Sequence, residues 1–206
     1  DRAGHDIYSP DNDRGAAVFD PDFDIYPDGT QKAIVDFCDK LSTKVCTDPQ
    51  DATKYLVGCS NKDHTLLRSG TLVCFMKEFQ LWHKDKYANA LPNAAAGVTK
   101  DQFYDRLLTF RNDPSNKPAA LGAYGSWKNF IGVVDGKLKF AQVQFTSSMI
   151  KLQPIEVKRP LKKMLDQMAT DYQDAAPKTP SGAKQKIFHD SGQQGWVWMM
   201  TEEALV

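Results

Sequence analysis

The chain has 206 residues, 41% of them hydrophobic, enough to bury a real core as one large domain or two small ones. Lys plus Arg and Asp plus Glu both number 26, so the net charge is zero. That balance removes the basic footprint of a nucleic-acid binder or of a protein drawn to an anionic membrane surface, and no nucleic acid is expected as a partner.

Residues 1–14 are polar and turn-rich, as in Ser9-Pro10-Asp11-Asn12-Asp13, and are expected to form a flexible N-terminal segment. Gly15-Ala16-Ala17-Val18-Phe19-Asp20 is a short apolar run stopped by Pro21, which predicts a strand leading into a turn. Beyond Pro27-Asp28-Gly29-Thr30, the residues Ile34, Phe37, Cys38 and Leu41 recur at i, i+3, i+4 and i+7, the stripe of a helix facing a core. A second helix is predicted from about Leu72 to Trp82, with Leu72, Phe75, Met76, Phe79 and Trp82 on one face and Cys74 at its flank. A third opens at Thr99-Lys100-Asp101-Gln102, a capping box in which the Thr hydroxyl and the Gln amide satisfy free backbone N–H groups; Phe103, Leu107 and Phe110 form its inward face.

The second half changes character after Asn112-Asp113-Pro114. Ile131-Gly132-Val133-Val134, Asp135-Gly136 and Lys137-Leu138-Lys139-Phe140 predict a hairpin, because Asp-Gly supplies the positive φ angles of a tight primed turn. The alternation changes phase between Phe140 and Val143, which calls for a bulge near Ala141 or for burial of both faces. Leu161, Met164, Leu165, Met168 and Tyr172 mark a long amphipathic helix, with Pro160 in its first turn and Ala175-Ala176-Pro177 at its end. Ile187-Phe188-His189 and a last strand at Trp196-Val197-Trp198-Met199-Met200 follow. The order is βαββαβ, with an inserted pair of helices carrying the cysteines at about 45–127. It predicts one α+β domain over 15–206, a ferredoxin-like (split βαβ) sandwich with a disulfide-bearing helical insertion.

All four cysteines, Cys38, Cys46, Cys59 and Cys74, fall in one short window. An even number confined to one segment reads as a local disulfide framework and an oxidising compartment. A four-thiolate zinc site would want Cys-x-x-Cys pairs, and successive spacings of eight, thirteen and fifteen provide none. Three connectivities are possible, and the sequence alone does not choose among them. No apolar run approaches the roughly 18 residues of a membrane helix, and Asp1-Arg2-Ala3-Gly4 does not open a positively charged start followed by an apolar h-region. The expectation is therefore a mature secreted protein or a piece excised from something larger.

Motifs for chemistry are missing. His5, His64, His83 and His189 are scattered without metal-ligand spacing and read as surface residues, and there is no Gly-x-Ser-x-Gly elbow, Walker loop or Gly-x-Gly-x-x-Gly. Asp11, Asp13, Asp20, Asp22 and Asp24 lack the glycine and terminal Glu of an EF-hand loop, and turn formation explains them. No catalytic residue, metal or cofactor is expected, and no Asn-x-Ser/Thr sequon is present. The chain ends on Trp196-Val197-Trp198-Met199-Met200-Thr201-Glu202-Glu203-Ala204-Leu205-Val206, an apolar, Trp-bearing stretch suited to a membrane interface or to a final buried strand.

Several segments together carry a resemblance. They are Asp11-Asn12-Asp13-Arg14-Gly15 through Phe19-Asp20-Pro21-Asp22-Phe23-Asp24-Ile25, Phe37-Cys38-Asp39-Lys40-Leu41, Cys74-Phe75-Met76-Lys77-Glu78-Phe79-Gln80-Leu81-Trp82, Phe140-Ala141-Gln142-Val143-Gln144-Phe145-Thr146-Ser147-Ser148, and the Trp-Met-Thr-Glu type of ending. Over about residues 11–206 the chain resembles the second extracellular domain of the Dispatched family. That family lies in the resistance-nodulation-division superfamily, related to Patched and to the Niemann-Pick C1 sterol transporter. The resemblance implies an α/β sandwich on the extracellular or lumenal face of a multi-pass membrane protein, ending where the next membrane helix starts. It further implies a Cys38–Cys74 bridge pinning the first two helices together, with Cys46 joined to Cys59. Loops of this size stabilise by roughly 3 to 4 kcal/mol in the chain-entropy account.

Dispatched uses cation flux to release lipid-modified Hedgehog ligands, and the coupling carboxylates of such proteins lie in membrane helices, so none is carried over here. The short, cysteine-poor insertion differs from animal Dispatched domains, and a relative moving another lipid or lipidated substrate fits as well. The expected function is a non-catalytic ectodomain that docks or passes a lipid, sterol or lipid-modified protein cargo. Its partners are the membrane helices and the first extracellular domain of the same protein; its substrate-binding residues are unknown at this stage. A stand-alone secreted binding or signalling domain is the alternative from a different class, and a disulfide-containing hydrolase a third.

Overall fold

The stripe Ile34, Cys38 and Leu41 turns inward on helix α1 (Asp28–Thr43), which buries Thr30 and Gln31 as well. No side chain caps α1. The Pro27 carbonyl accepts from the Thr30 and Gln31 amides at 2.9 and 3.0 Å, and Asp28 in the first turn suits the positive end of the helix dipole. The buried Gln31 amide donates to the carbonyls of Tyr26 and Pro92 at 2.8 and 2.9 Å, tying α1 to the segments on either side of it. The computed structural model describes residues 2–3, 16–17, 22–48, 51, 53–56, 59, 64–88, 90–147, 155–178 and 182.

Among these residues the chain is a mixed helix-and-sheet protein with four α-helices and three two-stranded antiparallel pairs. β1 (Arg2–Ala3) pairs with β2 (Ala16–Ala17). Part of the segment expected to be flexible is thus strand-paired, because the alanines expected to form a strand find their partner there. β3 (Val73–Cys74) precedes α2 (Phe75–Lys86), which starts three residues later than expected and runs on past Trp82 to Lys86. Val73 and Cys74 are drawn out of the helix by pairing with β6 (Val143–Gln144). α3 (Lys100–Asn112) carries the anticipated capping box: the Gln102 amide donates to the Thr99 hydroxyl at 3.3 Å, and the Thr99 amide donates to the Gln102 side-chain oxygen at 3.0 Å.

β4 (Ile131–Val134) and β5 (Lys137–Ala141) form the hairpin, with Asp135 and Gly136 at φ 50° and 71° as a primed turn requires. The register shifts between Gly132 and Val133, leaving Lys139 as the extra residue of a bulge; the irregularity lies there and not at Ala141. Gly132 is needed beneath the Phe140 ring, since a Cβ there would lie 1.9 Å from that ring. The change of phase has a second cause. The Gln142 amide donates to the Phe130 carbonyl at 2.8 Å, and the chain then leaves the hairpin to pair, as β6, with β3.

Two expectations are corrected. α4 (Ile155–Ala175) begins five residues before Pro160, so the proline stands inside the helix. Its missing N–H leaves the Glu156 carbonyl without a helical partner close to the helix start, where water can reach exposed Glu156. No helix inserted at 45–127 carries a cysteine within it. Cys38 is in α1, Cys74 stands at the N-cap of α2, and Cys46 and Cys59 lie in the stretch between them, whose described residues form the isolated bridges Val45–Thr65 and Thr47–Tyr55. The segment Ile187-Phe188-His189 and the expected last strand at Trp196–Met200 lie outside the described residues.

The interior has two parts. One collects Ile34, Cys38, Phe75, Phe79, Phe103, Phe110, Trp127 and Phe130 between α1, α2, α3 and the start of β4. The other gathers Leu41, Cys46, Leu56, Cys59, Leu66 and Leu67 under Leu161 and Met168 of α4.

Candidate functional site

All four cysteines are buried and bridged. Cys38 joins Cys74, with Cα atoms 6.2 Å apart, and Cys46 joins Cys59 at 6.3 Å. Of the three possible connectivities this is the one that ties α1 to the start of α2 and closes the irregular segment on itself. Two disulfides fit an extracellular domain. No helix among the described residues is long and apolar enough to cross a membrane.

The titratable residues are spread through the frame. Asp24 accepts from the Tyr104 hydroxyl at 2.6 Å, from Lys100 at 2.6 Å and from the Tyr26 amide at 3.0 Å. Burial pushes its carboxyl upward, but those hydrogen bonds outweigh it and hold Asp24 below the usual carboxylate range. Burial and the Asp24 hydrogen bond push the Tyr104 hydroxyl well up. This pair fastens the entry to α1 onto α3. Asp11, Asp13, Asp20, His5 and His189 lie outside the described residues, and no group of three His, Cys, Asp or Glu side chains converges as a metal site among the described ones.

Of the histidines, His64 stacks on Tyr55 at 3.9 Å, in the loop that carries Cys46 and Cys59. His83 is a correction: it is wholly buried, not a surface residue. It sits on the inner face of α2, one turn beyond Phe79, and α2 continues past the predicted end at Trp82. Arg106 and the Ala90 carbonyl satisfy its two ring nitrogens.

Among the described residues, an open groove of about 270 Å³ lies between α1 and α4. Its floor is Ala33 and Phe37 from α1 and Met168 and Tyr172 from α4, and Lys32, Asp36, Lys40 and Asp171 stand along its rim. Phe37 and Tyr172 meet edge to face at 5.4 Å, and burial pushes the Tyr172 hydroxyl up to about 12. Lys32 pairs with Asp36 at 2.5 Å, and Asp171 accepts from Gln167 at 2.8 Å. One end is closed by Pro177 packed on Gly29, where an added Cβ would come within 2.6 Å of the proline ring. No general base stands beside a nucleophile in this groove. It offers an apolar floor and a rim of side chains that can hydrogen-bond a polar group.

The sequence pattern assigns Phe37 to the core stripe; the structure half-buries it toward α4 instead. Gly29, Ala33, Phe37 and Lys40 recur at helical spacing as a second, mixed stripe on α1, and that was the available signal. The chain matches no protein-family model, no curated protein and no solved structure.

Proposed function

We propose that this chain is a non-catalytic extracellular or lumenal domain that docks a lipid or a lipid-modified cargo, as one part of a Dispatched-like membrane transporter. The observation that carries docking is the α1–α4 groove, with apolar floor and charged rim, on a frame stapled by two disulfides. A hydrocarbon chain buried there gains about 0.8 kcal/mol per methylene, and rim charges orient its head group. The transporter origin is supported by the Cys38 and Cys74 contexts and the other matching segments. The membrane helices of the same protein would supply the energy.

The ferredoxin-like architecture belongs to this proposal too. α1 and α4 pack together, as the two helices of a split βαβ unit do, and the β4–β5 hairpin lies between them in sequence.

A stand-alone secreted binding or signalling domain is the second reading, favoured by the disulfides, which hold the frame without help from a membrane. The gene decides between the two: membrane-length apolar runs before Asp1 and after Val206 support the transporter, and a stop codon directly after Val206 overturns it. Docking is tested by titrating the intact domain with a fluorescent fatty-acid or sterol analogue. Saturable binding is expected, and its absence would overturn this part.

A further inference from the structure

His83 lies in the last turn of α2 with no solvent exposure, and both its ring nitrogens are committed. Nδ1 is 2.8 Å from the Ala90 carbonyl, which can only accept, so Nδ1 carries the proton. Nε2 is 2.8 Å from Arg106 Nη1, which can only donate, so Nε2 is bare. The imidazole is therefore the neutral Nδ1–H tautomer.

Its surroundings leave no place for a second proton. Arg106 faces the ring from α3 and also stacks at 4.1 Å on Tyr87, whose own ring is 4.5 Å from the imidazole. From α2 itself Phe79 presents an edge at 6.0 Å. The α1 acids that reach toward α2 and the α2–α3 connection are engaged elsewhere, Asp39 with Lys77 and Asp28 with the Ala94 amide. Among the described residues no carboxylate pairs with His83 or Arg106, so nothing compensates an imidazolium placed against a guanidinium.

The connection that His83 holds also binds the entry to α1. Pro92 O accepts from Gln31, the Ala94 amide donates to Asp28, and Val98 O accepts from the Tyr26 hydroxyl at 2.8 Å. We propose that His83 is an acid-sensitive latch: a proton taken up from solvent at Nε2 breaks the Arg106 hydrogen bond, sets two cations face to face and releases the 87–98 connection from α2 and α3. Burial, opposed by the Ala90 hydrogen bond and reinforced by the Arg106 charge, lowers the His83 pKa from its ordinary 6.5. The closed state accordingly has its full stability above 6.5 and loses it as pH falls toward and through the lowered value.

Hydrogen exchange on the intact domain, corrected for intrinsic rates, tests the latch between pH 7.5 and 4.5. Peptides covering 87–98 should open with roughly tenfold greater probability per pH unit once below the onset, the slope of a one-proton linkage. Peptides of α4 should stay level. His83→Gln keeps a donor for Ala90 and an acceptor for Arg106 but does not titrate, and should abolish the slope. The same slope in His83→Gln, or no local opening in the wild type before global unfolding, would overturn the proposal. Should that variant fail to fold, ¹⁵N imidazole shifts of the wild type decide. His83 must gain its proton together with the amide opening; amides that open while His83 stays neutral, or a titration at 6.5 with amides unmoved, would equally overturn it.

Discussion

The aromatic interior between α1, α2 and α3 and the leucine–cysteine interior beneath α4 are built on different principles. In the first, Phe79 meets Phe103 at 5.5 Å, Phe110 at 5.3 Å and Trp82 at 6.0 Å, and these residues stand on helices whose backbones satisfy their own hydrogen bonds. In the second, Leu56, Leu66 and Leu67 come from a segment that has no helix or strand among its described residues. Its polar backbone is paired piecemeal, as where Cys46 N donates to His64 O at 2.8 Å and Leu56 N donates to Cys46 O at 2.7 Å. Large rings on self-sufficient helices contribute chiefly through burial, and the Cys38–Cys74 bridge among them joins α1 to the start of α2. An irregular segment burying leucines, smaller than the aromatic rings, loses more conformational entropy for each contact made, and the Cys46–Cys59 bridge offsets that by restricting the unfolded chain.

The sharpest way to break this contrast is Phe79→Ala, which leaves a cavity among four rings, those of Trp82, His83, Phe103 and Phe110, and should cost about 3–5 kcal/mol, read as a lower urea midpoint with unchanged slope. Replacing Cys46 and Cys59 together by Ser should cost roughly 3 kcal/mol. That loss should be regional: near-UV circular dichroism of the aromatic interior persists while exchange rises around Leu56 and Leu66. If the aromatic signal collapses as well, the two interiors are one cooperative unit and the contrast fails.

Asp24 sharpens the picture through pH. Its carboxyl is held low in the fold, so its contribution is complete above the ordinary value of 3.8 and is lost as pH falls through the lowered one. Asp24→Asn should therefore be less stable at neutral pH and show a shallower decline in acid, measured by denaturant titrations at stepped pH. Thr99→Ala removes only the α3 cap and should cost about 1 kcal/mol, the smallest effect of the series.

Local chemistry made some of this architecture legible from residues alone. The Thr99–Gln102 box, the Asp135-Gly136 turn and the Ile34, Cys38, Leu41 stripe each depend on neighbours within a few positions, and each is present where its pattern lies. What was not legible depends on partners far away in sequence. Val73 and Cys74 read as the first turn of a helix until Val143 and Gln144 pair with them. His83 reads as a surface residue until Ala90 and Arg106 enclose it, and Pro160 reads as a helix start because its own restriction says nothing about the five residues before it. The groove was hidden for the same reason, since Phe37 and Tyr172 are brought together only by the packing of α1 on α4.

That packing also carries the functional reading, and one binding comparison tests it most directly. Ala33→Trp fills the groove floor from α1, whereas Leu81→Ser changes a side chain on α2 that is 63% exposed and outside the groove. With a fluorescent fatty-acid or sterol analogue as probe, Ala33→Trp should weaken binding at least roughly tenfold, about 1.4 kcal/mol, and Leu81→Ser should bind as the wild type does. Equal affinity of Ala33→Trp and the wild type would contradict the assignment of the α1–α4 groove as the docking surface.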